Sequence, residues 1–258
     1  MAVRLTRIWT GTGDDGTTGL GDFSRTSKTD PRLVAYADVD ETGAALGLVL
    51  AALPATAPPA AAVTGETASD GPGEQEPGEQ EPGERAPDGA EPQEQGPSDP
   101  STPGRGADPG AVLERVRSVV RRVQNDLFDV GADLCLPVGA RVEHTPLRVQ
   151  EPWIGDLERE IDVLTEALPP LTSFVLAGGT PAAAHLHLAR TVARRAERSV
   201  WAAIAAHGTT EGGVNPLTAR YLNRLSDLLF VLARAANSPD LGGDGDVLWR
   251  PGGTHTDR

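Results

Sequence analysis

ARTVARRAERSV, residues Ala189–Val200, with the loop FVLAGGTP at Phe174–Pro181 just before it, is the stretch on which the reading of this chain turns. Arg190, Arg194, Glu197 and Arg198 follow one another at helical spacing, which puts them on neighbouring turns of one face. Val192, Ala196, Val200 and Ile204 form an apolar stripe between them. A helix of this kind buries one side and turns a row of guanidinium groups elsewhere. Two uses of that row are open: a solvated face tied by Glu–Arg pairs, or a cradle for an anion or carboxylate. In the preceding loop the glycines permit a tight turn, Thr180 supplies a cap and Pro181 the first helical turn. The helix is predicted to run to about His207.

Working outward, the same periodicity recurs on both sides. Val112–Leu134 is the clearest case, with Val112, Leu113, Val116, Val119, Val120, Val123, Leu127, Val130 and Leu134 at steps of three and four. Gln124, Asn125 and Asp126 read as a polar break within it. Another helix follows Pro152, with Ile154, Leu157, Ile161, Leu164 and Leu168 in register, and Pro169-Pro170 ends it. Asn215-Pro216 opens the last helix, in which Leu217, Tyr221, Leu225, Leu228, Leu232 and Ala236 should pack inward. Asn223, Asp227 and Phe230 share one strip of it, either the wall of a site or a network between helices. Nearest the amino terminus, Asp30-Pro31 opens a helix that should reach about Leu53 and stop at Pro54. Val34, Ala37, Ala44, Leu48 and Leu50 give it apolar content. Asp38, Asp40 and Glu41 interrupt an otherwise small-residue helix, and Asp40 reads either as a partner for an arginine or as an exposed carboxylate.

The formal charge of −14 is unevenly spread. Thr64–Gly110 holds twelve acidic residues and two arginines, a net of −10, which leaves −4 for everything else. This segment contains no Val, Ile, Leu, Met, Phe, Tyr or Trp, and it repeats GEQEP at Gly73–Pro77 and Gly78–Pro82 before GERAP. Such a composition cannot bury enough surface to offset the entropy of ordering it, so a disordered, solubilising insert is expected. The division that follows is a loop and first helix at 1–63, the insert at 64–110, the remaining helices at 111–240 in one domain with 1–63, and a tail at 241–258. In that tail Trp249 stands out. The single cysteine, Cys135, excludes an internal disulfide framework and fits a reducing compartment; within an apolar helical run it reads as a buried, inert thiol rather than a nucleophile. The start, MAVRLTRIWTG, lacks a secretory pattern, and no run is long and apolar enough to span a membrane. A cytoplasmic protein is expected, without membrane or nucleic-acid partners.

Leu5–Asp22, LTRIWTGTGDDGTTGLGD, is too rich in Gly, Thr and Asp to be helical. Its glycines let backbone amides turn inward and its threonines add hydroxyls, a composition that can wrap a phosphate chain. It lacks the Lys-Ser/Thr ending of a Walker A loop, and a flexible surface turn is the other reading.

Four blocks, in this order, resemble the PduO-type cob(I)alamin adenosyltransferases: TGTGDDGTTGLGD (Thr10–Asp22), SKTDPRLVAYADVDE (Ser27–Glu41), FVLAGGTPAAAHLHLARTVARRAER (Phe174–Arg198) and YLNRLSDLLFVLAR (Tyr221–Arg234). The resemblance implies an all-α, ferritin-like five-helix bundle with an irregular Gly/Thr loop, assembled as a homotrimer with sites at subunit interfaces. It implies transfer of the 5′-deoxyadenosyl group of ATP to the cobalt of a reduced corrinoid, with triphosphate released. By matching positions, Thr10, Gly11, Thr12, Gly13, Thr18 and Lys28 should hold the triphosphate. Arg194, Glu197 and Arg198 should complete the nucleotide site, with Asn223 reaching it from the last helix. Arg190 should pair with Asp40 across the interface. Phe174 should lie under the corrin and displace its lower axial ligand, with Phe230 and Trp249 completing an apolar lid. A divalent ion, magnesium, should share the charge of the leaving triphosphate. No residue is expected to act as a metal ligand: His185 and His187 lack the Glu partners of a di-iron bundle. A B12-dependent mutase and a corrinoid reductase are the implied partners. A delivery protein that holds nucleotide or adenosylcobalamin with little turnover is the alternative; a purely structural oligomer would leave the Gly/Thr loop without purpose. Two departures stand out: Gly11 and Asp15 replace the lysines of the family's Thr-Lys-Thr-Gly-Asp-Lys-Gly, and Ala177 replaces the proline after Phe-x-Leu.

Overall fold

The structure is a computed structural model that describes residue 9 and residues 11–55, 109–143 and 145–253. Five long helices carry it: α1 (Pro31–Ala52), α2 (Pro109–Cys135), α3 (Glu151–Glu166), α4 (Pro181–His207) and α5 (Leu217–Ala236). α1 packs on α4, α4 on α5, α5 on α2 and α2 on α1, which closes a four-helix ring; α3 lies against α5. The fold is therefore all-α, as expected. The expected insert falls outside the described residues up to 108, and α2 takes up Pro109 and Gly110.

The signals that start and stop these helices are local. Asp30 caps α1 by accepting the Arg32 N–H at 2.8 Å, with Pro31 in the first turn. Thr180 accepts the Ala183 N–H at 3.2 Å ahead of Pro181. Gly208, at φ +75°, ends α4. α5 is the central helix: 14 of its 20 residues are buried, with Tyr221, Leu222, Leu225, Leu228, Leu229 and Leu232 fully enclosed. Each such leucine contributes on the order of 1.5–3 kcal/mol. The stripe Val192, Ala196 and Val200 on α4 is buried, with Ile204 partly so.

Two expectations are corrected. α2 runs without a break through Gln124–Asp126: Gln124 and Asp126 have partners, and Asn125 is exposed. The Gln124 amide donates to the Gly43 carbonyl at 2.9 Å, and Asp126 accepts the Tyr221 hydroxyl at 2.9 Å. Burial pushes the Asp126 carboxyl up, against the pull of that hydrogen bond. On α1, Val34, Ala37, Ala44 and Leu48 lie on the exposed side, while Leu33, Ala35, Val39, Ala45, Leu46 and Val49 form the core face. The other correction is to the Gly/Thr segment, which is not wholly irregular. Thr17–Gly19 (β1) and Arg25–Ser27 (β2) pair antiparallel, with Thr17 opposite Ser27, Thr18 opposite Thr26 and Gly19 opposite Arg25.

Buried polar groups lock the ends of the bundle together. The Arg32 guanidinium donates to the carbonyls of Leu134, Gly212 and Gly213, each at 2.9 Å, and so joins α1, the end of α2 and the loop before α5. Asp133, 1% exposed, accepts from Arg148 at 2.6 Å, the Val149 N–H at 2.7 Å and the Asn215 amide at 2.7 Å. His207 Nε2 lies 2.9 Å from Asp30 Oδ1, tying the end of α4 to the start of α1. No helix among the described residues is long and apolar enough to cross a membrane.

Candidate functional site

The Gly/Thr segment forms a compact turn leading into the β1–β2 hairpin. Gly11 and Gly16 have φ of +71° and +82°, conformations that side chains resist. The Asp14 N–H bonds the Gly11 carbonyl and the Gly16 N–H bonds the Gly13 carbonyl, both at 3.2 Å. Asp15 Oδ1 accepts the Thr17 hydroxyl at 2.7 Å and the Thr17 N–H at 2.9 Å; these bonds hold its carboxyl below the usual range. Lys28 is drawn back over the turn. A β-carbon at Gly13 would sit 3.1 Å from Lys28 Nζ and 3.0 Å from the Thr17 carbonyl oxygen, so any side chain there would have to push its neighbours back by a few tenths of an ångström. Gly11, Thr12, Gly13, Thr18 and Lys28 are thus gathered in one turn and hairpin; Thr10 lies outside the described residues.

On α4, Arg194 and Arg198 are exposed, and Arg198 donates to the Arg194 carbonyl at 2.9 Å. Glu197 accepts from the Asn223 amide of α5 at 3.2 Å, so these two expected site residues do meet. Arg190 is half-buried with its Nε enclosed and unpaired. Neither Arg190 nor Arg194 forms an ion pair with a described residue of the same protomer. The arginine that does was not anticipated: Arg195 pairs with Asp38 at 3.3 Å and with Glu41, while the Ser199 hydroxyl donates to Asp38 at 2.5 Å. An acidic pair at i and i+3 on α1, facing an Arg at i and a Ser at i+4 on α4, was the available signal. Asp40 points away from α4 and lines a groove of about 710 Å³ between α1 and α2, with Tyr36, Gln124, Phe128, Ala132 and Cys135. Cys135 is only half-buried, and desolvation still pushes its thiol up, away from the reactive thiolate.

Phe174 and Trp249 form the third part. Phe174 is 77% exposed and Trp249 42%, with ring centroids 5.9 Å apart in an edge-on arrangement. The tail pairs with the loop to put them there. The Leu176 N–H bonds the Val247 carbonyl at 2.7 Å, the Trp249 N–H bonds the Phe174 carbonyl at 2.8 Å, and Val175 bridges Leu248 antiparallel. Beneath, Asn237 at the end of α5 is fully buried; it accepts the Thr180 N–H at 2.8 Å and donates to the Gly178 carbonyl at 3.0 Å. Arg234 donates to the Pro169 carbonyl at 2.5 Å and pairs with Asp246 at 2.9 Å. The turn is therefore fastened on both sides of Ala177. Neither Asn237 nor Arg234 was picked out in the sequence; an Asn directly after a helix and before Ser-Pro was the only hint. Phe230 is half-buried, and its ring meets His187 at 6.2 Å rather than Phe174 or Trp249. His187 is buried with both ring nitrogens unpaired, and its proton affinity is lowered by burial and by Arg190, with Asp246 opposing. Asp227 pairs with Arg224 at 2.7 Å. Among the described residues no group of three or more His, Cys, Asp or Glu could hold a metal ion.

These parts define an all-α helical bundle that displays a lysine-backed Gly/Thr turn, a row of arginines on α4 and an exposed aromatic pair held on paired loop backbone. A family model for cobalamin adenosyltransferases matches residues 8–67 and 106–236, and the chain belongs to that family. The corrinoid adenosyltransferase of Mycobacterium tuberculosis is 46% identical over 256 residues, covering 99% of both chains. The corrinoid adenosyltransferase PduO of Salmonella typhimurium is 32% identical over 233 residues, 90% of this chain and 50% of its own length. Among solved structures, a variant PduO-type ATP:corrinoid adenosyltransferase from Lactobacillus reuteri, complexed with cobalamin and ATP, aligns with a TM-score of 0.65 at 26% identity, covering 95% of this chain and 97% of that one.

Proposed function

We propose that the protein is an ATP:cob(I)alamin adenosyltransferase. The electron pair of Co(I) attacks the ribose 5′-carbon of ATP, the bond from that carbon to the phosphate oxygen breaks, and its electrons leave with triphosphate. Cobalt itself is the nucleophile and no proton must move, so the chain's task is to position the reactants and neutralise charge. The observation that carries this reading is the aromatic pair. Phe174 is largely exposed yet fixed through its own backbone to the Trp249 strand, an apolar shelf that costs little to hold ready for a flat macrocycle.

In this reading Thr10, Gly11, Thr12, Gly13, Thr18 and Lys28 cradle the triphosphate. Arg194, Glu197 and Arg198, with Asn223 braced on Glu197 at 3.2 Å, complete the nucleotide site. Phe174, Trp249 and Phe230 face the corrin. Arg190 meets Asp40 of a neighbouring protomer in a homotrimer. Magnesium would share the charge of the leaving triphosphate. One cysteine and no disulfide suit a reducing cytoplasm, where a corrinoid reductase would supply Co(I) and a mutase receive the product.

Under strict anaerobic reduction, cob(I)alamin and ATP should yield adenosylcobalamin and triphosphate in equal amounts. Absence of product from the wild-type protein defeats the proposal, and stoichiometric binding without turnover would mark a delivery protein instead. Arg194→Ala should cut turnover by at least about 100-fold, the scale of losing a bidentate contact to the leaving group.

A further inference from the structure

Gly11 and Asp15 leave the phosphate turn without cations of its own, yet a guanidinium reaches it from the hairpin. Arg25 on β2 stands directly across from Gly19 on β1, where no side chain blocks its path. It lies diagonally over Thr17, the next β1 residue on that face, and bonds the Thr17 hydroxyl through Nη2. The same nitrogen donates to the Thr12 carbonyl at 2.7 Å, and Asp15 stands 3.6 Å away.

The consequence lies in the peptide between Thr12 and Gly13. A trans peptide holds its C=O and N–H antiparallel, so fixing the Thr12 carbonyl on Arg25 turns the Gly13 N–H away from Arg25. Lys28 Nζ stands against Gly13. An unpinned peptide could rotate and present its carbonyl oxygen, which repels phosphate, in place of its N–H donor. We propose that Arg25 is a positioning residue for the triphosphate: it holds the Thr12 carbonyl and keeps the amide of Gly13 presented to the anion beside Lys28. Asp15 orients Arg25 and Thr17 together and so serves the same arrangement from a position where the family has lysine.

This inference rests on the nucleotide reading above, and the experiment separates the two. Binding of ATP, inorganic triphosphate, adenosine and cob(II)alamin is measured by calorimetry for wild type, Arg25→Ala and Arg25→Lys. The Ala variant should weaken ATP and triphosphate about tenfold while leaving adenosine and cob(II)alamin within about twofold, because only phosphate contacts depend on the pinned peptide. The Lys variant, which can donate twice from one nitrogen, should recover ATP affinity to within about threefold of wild type. Unchanged ATP affinity in Arg25→Ala overturns the inference, and so does an equal loss for all four ligands, which would mark Arg25 as a prop for the hairpin alone. A wild-type protein that binds neither ATP nor triphosphate would defeat the nucleotide reading itself.

Discussion

Asn237 and Gly179 occupy each other's space. A methyl group at Gly179 would lie 2.0 Å from Asn237 Oδ1, and the glycine holds φ at +94°. The close approach lets one buried amide satisfy the Thr180 N–H and the Gly178 carbonyl together. Asn237→Ala leaves both groups unpaired and should cost about 1–3 kcal/mol. Gly179→Ala should cost a similar amount, since it adds strain at positive φ and expels the amide. Both should lower the melting temperature in a thermal scan by roughly 2–4 °C per kcal/mol. Because the turn carries Phe174, both variants should also raise KM for the corrinoid while leaving KM for ATP nearly unchanged. A rise in both constants together would detach this clamp from the aromatic shelf.

The helices show why some elements are legible in a sequence and others are not. α2 and α5 have apolar residues at regular three- and four-residue steps, and nearly all of those residues lie in the core, joined on α5 by Leu222, Leu229 and Val231. α1 is apolar nearly all round, so periodicity could not tell Leu48, 51% exposed, from Leu46, fully buried. The β1 and β2 strands have three residues each, too few for an alternating pattern, and are fixed by pairing across a turn. At the site, the family resemblance put Glu197 and Asn223 in one place, and the two do meet, though their hydrogen bond was not foreseen. Arg195 and Asn237 depend on partners far along the chain that composition does not signal, and Arg25 on the fold of a hairpin too short to leave a pattern. Caps are the most local feature, and the Asp30 cap gives a pH test. Burial alone would raise its carboxyl, but hydrogen bonds from the Arg32 N–H, the Thr26 hydroxyl and His207 outweigh that and hold it below the usual range. A carboxyl depressed in the folded state stabilises fully above its unfolded pKa and loses that contribution as pH falls through the folded value. Asp30→Ala should therefore cost about 1 kcal/mol at pH 7. In melts across a pH series, the gap from wild type should hold down to about pH 5 and close below about pH 4. A gap that persists undiminished to pH 2 would show that its charge is not what holds the cap.

At the scale of the whole molecule, the question is where Arg190 finds a carboxylate. Within one protomer α4 touches α1 on the side that carries Asp38 and Glu41, which Arg195 already occupies. Asp40 follows Asp38 by two residues, about 200° around the helix, and so faces away from its own α4. It lines the α1–α2 groove beside the exposed ring of Phe128, while Arg190 keeps an enclosed, unpaired Nε. A ring of protomers, each giving its α1 groove to the next one's α4, would pair the two residues and cover the exposed side of α1. Mixing two inactive variants tests this without a structure of the assembly. Asp40→Ala and Arg190→Ala should each lose most activity, since each empties one side of every interface. Unfolded together and refolded at equal ratio, they should form some interfaces in which Asp40 comes from an Arg190→Ala chain and Arg190 from an Asp40→Ala chain. Random association makes about one quarter of the interfaces intact, and activity should return to about that fraction of wild type. If the two residues acted within one protomer, every chain in the mixture would still lack one of them and no activity would return.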